Sequence, residues 1–157
     1  MIYGNGGHAK VLRDICVVPD GTYVVAIGDN LNRKIEARNL EREGKRFGVA
    51  IHNSANVSPR ARIGEGTMIC AGAVICADAV IGKHCLINSH ASVDHECVLQ
   101  DFVHIAPGAH LCGGVQVGEG GFVGTGVCLA PGYKVQAWDL IKARRIKPED
   151  IEGQRHG

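Results

Sequence analysis

The chain has 157 residues, the size of one ordinary domain, and 22 of them are glycine, about double the usual share. Aromatic residues number seven (three Phe, three Tyr, one Trp) while 45% of the chain is apolar, so any core must use aliphatic and small side chains. A net charge of +1 supplies no long-range field for nucleic acid or an anionic membrane, and no stretch reaches the ~18 apolar residues of a membrane span.

The start, MIYGNGGHAK, has neither the basic nor the apolar region of a secretory signal. A short strand at Ile2 and Tyr3 runs into the glycine-rich loop GNGGH, and a helix is expected from Ala9 to Ile15. After the connection CVVPDGT come a strand, YVVAI from Tyr23, a helix through NRKIEARNLERE, and a strand, FGVAI. Residues 1–50 thus read as a βαβαβ subdomain that feeds directly into the segment beginning at Ile51.

From Ile51 a period of six takes over. Ile51, Val57, Ile63, Ile69, Ile75, Ile81, Ile87, Val93, Leu99, Ile105, Leu111, Val117, Val123, Leu129 and Val135 are all aliphatic, with no insertion between them. Four residues after each, the side chain is mostly small, as at Ala55, Ala73, Cys85, Cys97 and Gly121. Turn formers or small residues often come directly after the aliphatic, as at Gly64, Gly82, Asn88, Asp94 and Gly118. Neither a helix nor a two-residue alternation sustains this period, whereas a short strand and a tight corner do. Three such faces make a triangular coil of 18 residues, and five coils stacked at the strand spacing make a prism roughly 24 Å tall. The fold expected is mainly β: a parallel β-helix over 51–135.

The tail 136–157 contains WDLIKARRIKPEDIE, which reads as a short charged helix capping the prism or meeting another protomer, with KARRIK as a solvated face. Seven cysteines, an odd number without a CxxC pair, fit reduced thiols in a cytoplasm better than a disulfide frame.

Two places could carry chemistry. In Gly4-Asn5-Gly6-Gly7-His8-Ala9-Lys10, glycines between strand and helix let backbone N–H groups approach a phosphate, with His8 and Lys10 adding charge. The loop matches neither a full dinucleotide fingerprint nor a Walker A motif, so a tight turn without a ligand is the equal alternative. Further on, stacking by 18 puts Gly113 over His95 and Gly108 over His90. A glycine over an imidazole leaves room for a ligand, and its N–H can point at one. Asp94 and Glu96 flank His95 and could set its tautomer. His104 lies half a coil on, on a different face, so the two histidines would meet only between protomers packed face to face. His52, His84, His110 and His156 read as corner or surface residues.

GNGGHAKVLRDI, VAIGDNLNRKIE and INSHASVDHECVLQDFVHIAPGAHLCGGVQVGEG together resemble the bacterial hexapeptide-repeat acyltransferases. The similarity is to the group of sialic acid O-acetyltransferases and UDP-4-amino-sugar N-acetyltransferases of bacillosamine and perosamine type. It covers roughly residues 1–15 and 23–132. The resemblance implies a left-handed β-helix, a cytoplasmic homotrimer, and acetyl-CoA as acyl-donor substrate between neighbouring prisms, with no metal. It implies that residues 1–50 are a shortened nucleotide-sugar-binding unit and that acetyl moves directly to an amino group of a nucleotide-linked amino sugar. Sialic acid O-acetylation and a weakly active or non-catalytic trimer are the alternatives.

By position, His95 matches the general base, Glu96 the acid that orients it, and Gly113 a backbone donor to the thioester oxygen. His104 matches a second histidine near the acetyl group, Asn88 a polar contact near the acceptor, and Gly6, Gly7 and His8 the contacts to the nucleotide-sugar. The chain departs from the family where CVVPDGT replaces a further strand with an acidic pair, and where extra C-terminal coils and a GVPAK-like loop would stand. A zinc protein of the γ carbonic anhydrase type would use His90 and His95, but position 54, where a third ligand belongs, is Ser54. Cys97 and Cys112 lie near His95 in sequence, at an inward position and a corner, and are not expected to act as nucleophiles.

Overall fold

The computed structural model describes residues 1–4, 6–7, 9–10, 16–17 and 19–143. A small α/β unit sits on one face of a prism. In the small unit, β1 (Ile2–Tyr3) lies parallel to β3 (Val24–Val25), and a parallel bridge from Tyr23 to Phe47 supplies the third line. The strands expected at YVVAI and FGVAI are thus shorter than their apolar runs: after Val25 the chain turns toward the helix Asn30–Arg42, and after Phe47 it leaves the small sheet to enter the prism at Ala50. The chain is helical at Gly7, Ala9 and Lys10; the rest of the helix expected to Ile15 lies outside the described residues.

Helix α1 (Asn30–Arg42) has both ends satisfied. The Asp29 carboxylate accepts from the Asn32 N–H at 2.8 Å, the usual N-cap arrangement. At the other end Gly44, at φ +73°, lets Lys45 N–H reach the Leu40 carbonyl and Gly44 N–H the Glu41 carbonyl, a Schellman motif. Its buried stripe is Asn30, Arg33, Ala37 and Leu40, so half of the inward face is polar.

The rest is a left-handed parallel β-helix with three sheets. The first face stacks β4 (Ala50–His52), Met68–Ile69, Leu86–Ile87, His104–Ile105, Phe122–Val123 and Leu140–Ile141. The second runs from Asn56–Val57 to Cys128–Leu129 and the third from Arg62–Ile63 to Lys134–Val135. The register is the 18-residue one: Ile51 pairs with Ile69, Ile87 with Ile105, and Ile105 with Val123. Inside, the aliphatic columns meet the small residues Ala73, Ala79, Cys85, Ala91, Cys97 and Ala109. Aromatic side chains are absent from that described core because each coil is one strand wide per face.

The corners differ from the sequence expectation. The left-handed residue comes three positions after the aliphatic, not directly after it: Gly66, Gly72, Asp78, His84, His90, Glu96, Phe102, Gly108, Gly114 and onward to Trp138. Glycine takes about half of these positions, since other residues adopt that conformation only at a cost. Glycines directly after the aliphatic serve close stacking instead. A Cβ on Gly64 would lie 2.6 Å from the Gly82 backbone.

Both ends of the prism also differ. Strand β2 (Cys16–Val17), within the connection CVVPDGT, runs antiparallel to β4 and covers the first open edge. At the other end the β-helix continues past residue 135: Leu140–Ile141 pairs with Phe122–Val123, where a helix was expected. Residues 144–157 of that tail lie outside the described residues.

Outward side chains of the first face, Ala50, Met68 and Leu86, pack with Ala9, Val24, Ala26 and Cys70 to hold the subdomain on the prism. One corner packs deeper than a corner residue should. His84 is buried, stacked on Phe102 at 5.1 Å and edge-on to Phe47 at 4.6 Å. Neither ring nitrogen has a hydrogen-bond partner among the described residues, and Glu41 stands 3.7 Å from Nε2.

Leu99→Ala, in the middle of a column, is expected to lower stability by about 2–5 kcal/mol in denaturant titration. Ile51→Ala, at the exposed start of a column, should cost much less. Burial pushes the His84 imidazole below its ordinary range, so the folded chain resists its protonation more than the unfolded chain does. Stability from the neutral ring is therefore present above pH ~6.5 and lost as pH falls below it. His84→Phe, which copies the stacked Phe102 and its positive φ, should flatten the loss of stability between pH ~7 and ~5. An unchanged slope would show that the folded chain accepts the proton freely.

Candidate active site

The parallel strands β1 and β3 end side by side, and the loops that leave them enclose a cavity of about 680 Å³. Gly4, Gly6 and Gly7 line it from one loop, Ala26, Ile27 and Gly28 from the other, and Tyr3, Asn32 and Glu36 complete it. A crevice at the carboxyl ends of parallel strands is where ligands enter open α/β sheets. Gly4 is at φ +126° and its Cβ would press on the Ala26 carbonyl at 3.1 Å, so packing requires glycine there. At Gly6 and Gly7 a Cβ would meet nothing within 4 Å, so their bareness leaves room rather than fitting a neighbour. The Tyr3 phenol hydrogen-bonds to Glu36, which holds the phenol protonated above its ordinary range. Asn39 donates to Oε2 of the same carboxylate at 3.3 Å. His8 lies outside the described residues.

The back wall of this cavity leads to the first face of the prism. His104 Nδ1 lies 3.1 Å from the carbonyl of Gly28, so that nitrogen carries the proton and donates. Its Nε2, 3.2 Å from Asn88 Nδ2, is then the acceptor. Phe122 stands edge-on to the ring at 4.6 Å, and Asn88 accepts from the Ser89 N–H at 2.8 Å. Both His104 and Asn88 are buried within the protomer.

A second cluster occupies the corner between the second and third faces. His95 is exposed, and its Nδ1 lies 3.2 Å from Glu96 Oε2. With Nδ1–H donating to that carboxylate, Nε2 keeps a lone pair directed away from it. The Asp94 carboxylate accepts from the His95 N–H at 2.9 Å; this bond first, and the Cys76 thiol second, hold Asp94 below the usual carboxylate range. Asp94 is thus tied to the backbone of the corner, and Glu96 lies within hydrogen-bond distance of the ring.

Gly113 lies directly against His95, as the 18-residue register expects: a Cβ there would stand 2.5 Å from Cε1 and 2.6 Å from Nε2. The space left by the missing side chain is filled by the imidazole itself. Gly108 does not stand in that relation to His90; a Cβ on Gly108 would meet nothing within 4 Å, and His90 is met by Gly72 instead. The Gly113 N–H has no partner among the described residues, whereas the equivalent N–H at His95 and Ser89 is taken by a side chain. Cys97 is buried, donates to the Cys112 carbonyl at 3.2 Å, and has its thiol pushed up by burial. The Cys112 thiol is also raised, by desolvation first, which lowers its share of the nucleophilic thiolate.

The structure therefore gathers His95, Glu96 and Gly113 at one corner, and it links Asn88 and His104 through the Gly28 carbonyl to the cavity that Gly6 and Gly7 line. Sequence reasoning missed Tyr3, Gly28, Asn30, Arg33 and Glu36. Asn30, Arg33 and Ala37 share one helical stripe with Leu40, a spacing visible in the chain, but a polar stripe on a charged helix ordinarily faces water.

A prism of six-residue turns with a strand-end cavity and an imidazole–carboxylate pair places the chain among the hexapeptide-repeat proteins, and the comparisons narrow the class to transferases. Residues 60–95 match the family model described as bacterial transferase hexapeptide (six repeats). The acetyltransferase domain of PglB from Neisseria gonorrhoeae is 31% identical, with 90% of this chain and 87% of that one covered and a TM-score of 0.85. The perosamine N-acetyltransferase PerB from Caulobacter crescentus, solved with CoA and GDP-perosamine, is 35% identical over 90% of this chain and 84% of that one, TM-score 0.84. WeeI from Acinetobacter baumannii, at 24% identity over 78% of this chain and 65% of its own, shares the fold with a TM-score of 0.66. The chain belongs to the bacterial hexapeptide-repeat acyltransferases of bacillosamine and perosamine type, and it is an acyltransferase.

Gly113→Ala is expected to push the His95 ring off its seat, because the new methyl would overlap Cε1 and Nε2. Histidine side-chain NMR should show a changed His95 environment while the β-helix melting temperature moves little.

Proposed function

We propose that the chain transfers the acetyl group of acetyl-CoA to the amino group of a nucleotide-linked amino sugar, directly and with His95 as general base. The observation that carries this reading is the His95 corner: an exposed imidazole beside Glu96, lying on a glycine whose N–H has no partner among the described residues. Two relatives support the choice of substrates: the PglB domain has been solved with acetyl coenzyme A, and PerB with CoA and GDP-perosamine.

In this reading the amine attacks the thioester carbonyl while His95 Nε2 takes its proton, forming the N–C bond. Collapse of the tetrahedral intermediate breaks the C–S bond, and the imidazolium returns the proton to the departing thiolate. The Gly113 N–H faces the developing oxyanion, a contribution typically worth ~3–4 kcal/mol for one donor. The cavity at Gly6 and Gly7 takes the nucleotide-sugar, and Asn88 and His104 border its reacting end.

The two corners lie on either side of the second face of one protomer. A cyclic homotrimer with that face turned inward brings the His95 corner of one protomer to the Asn88 corner of the next. Each site would then take its base from one chain and its acceptor cavity from another. Cytoplasmic nucleotide-sugar metabolism is the setting that fits this chemistry. No helix among the described residues is long and apolar enough to cross a membrane.

The test is release of free CoA thiol from acetyl-CoA in the presence of GDP- and UDP-linked 4-amino sugars and of sialic acid. An amino sugar is expected to yield the N-acetylated product. His95→Ala should lower kcat by roughly 10²–10⁴-fold with the fold intact. Full activity in His95→Ala, or turnover with sialic acid alone, would overturn this reading.

A further inference from the structure

Arg33 is fully buried, yet among the described residues no carboxylate pairs with it. Its guanidinium is satisfied by oxygen atoms from three parts of the chain. Nε donates to the His84 carbonyl at 2.8 Å, and Nη1 to the carbonyls of Ile27 at 2.8 Å and Gly28 at 3.2 Å. Nη2 donates to Asn30 Oδ1 and to the Phe102 carbonyl, each at 2.8 Å. Five donors in a fixed fork are all used, an arrangement that lysine cannot copy. Burial pushes the group down to about 10, so it stays charged at neutral pH.

A buried cation without a counterion is costly, and the same docking could be made by apolar side chains as at Met68 and Leu86. What apolar packing could not do is aim carbonyls. Two of the oxygens that Arg33 grips bear directly on His104. The Gly28 carbonyl also accepts from His104 Nδ1, and the Phe102 carbonyl lies two residues before His104 on the same turn.

We propose that Arg33 is a positioning residue for acyl transfer, holding the Gly28 carbonyl so that His104 keeps its proton on Nδ1 and presents Nε2 with Asn88 beside the cavity. The inference rests on the reading of His104 and Asn88 as the border of the reacting end. Its structural part stands without that reading. With Arg33 in place the Gly28 carbonyl cannot swing toward solvent, and His104 has one fixed acceptor on its Nδ1 side. Without it the peptide is free to turn, the Nδ1–H loses its partner, and the Nε2–H tautomer becomes accessible.

The test reads the tautomer directly by ¹H–¹⁵N NMR of the full chain labelled in its histidine rings, with His104 assigned from His104→Gln. Wild type is expected as the Nδ1–H form and Arg33→Lys with a raised share of Nε2–H. If Arg33→Lys does not fold, Asn30→Ala, which removes one acceptor of the guanidinium, is measured in the same way and should show a smaller rise. In kinetics Arg33→Lys should lower kcat roughly 10²-fold, the scale of a small misplacement, with the acetyl-CoA KM within about twofold. In the His104→Gln background the same substitution should change kcat by less than about twofold, since the effect passes through His104. A wild-type Nε2–H tautomer, an unchanged tautomer in a folded variant, or additive losses in the double variant would overturn the proposal. Absence of acetyl transfer to every acceptor would instead sink the functional reading and leave the tautomer result standing.

Discussion

Parallel strands two residues long cannot hold a fold singly. They hold this one because each repeats in register every 18 residues, with an aliphatic over an aliphatic and a small residue between. Ile51, Ile69, Ile87, Ile105, Val123 and Ile141 form one such column through successive pairings of the first face. A single inserted residue would turn every following side chain to the other face of its strand. That register, rather than any local preference, brings Gly113 onto His95 although 18 residues separate them.

The first face shows how the same stacking divides structure from chemistry. Its outward side chains begin as Ala50, Met68 and Leu86, which the small subdomain covers, and then change to His104 and Phe122. The change falls where the docked subdomain presents the Gly28 carbonyl and the end of its cavity. Docking is apolar below and polar above. In the polar part Asn30 donates to the carbonyls of Gly120 and Gly121, and Lys34 pairs with Glu119 while standing over the rings of Trp138 and Phe102. These contacts fix the helix that carries Arg33, Asn32 and Glu36 against three successive coils.

Much of the fold was legible from one end of the chain to the other. The six-residue period needs no partner to be seen, and the Gly113–His95 stack follows from counting. Legibility failed where a residue's role depended on what lay opposite. His84 has the look of a surface corner residue, yet Phe47 arrives from another part of the chain and buries it. Trp138 and Leu140 sit in a charged tail that suggests a helix, but the unpaired edge of Phe122–Val123 draws the segment into one more strand. CVVPDGT shows no strand pattern, and the open edge of Ala50–His52 recruits Cys16–Val17 for the same reason. Unpaired backbone at a sheet edge outweighed local propensity in both cases.

The sequence by itself determined the prism, its coil length and the pairing of residues 18 apart, because a strict period leaves only one way to stack. It also marked His95 and Glu96 as neighbours, since adjacent residues at a corner need no folding to meet. Tertiary structure alone decided the burial of Arg33, the link from Gly28 to His104 and the cavity that Tyr3 and Glu36 enclose. Those contacts join residues with no repeat between them. They arise from docking one irregular subdomain on a regular face, where the outcome depends on shape and on which buried carbonyls still need a donor.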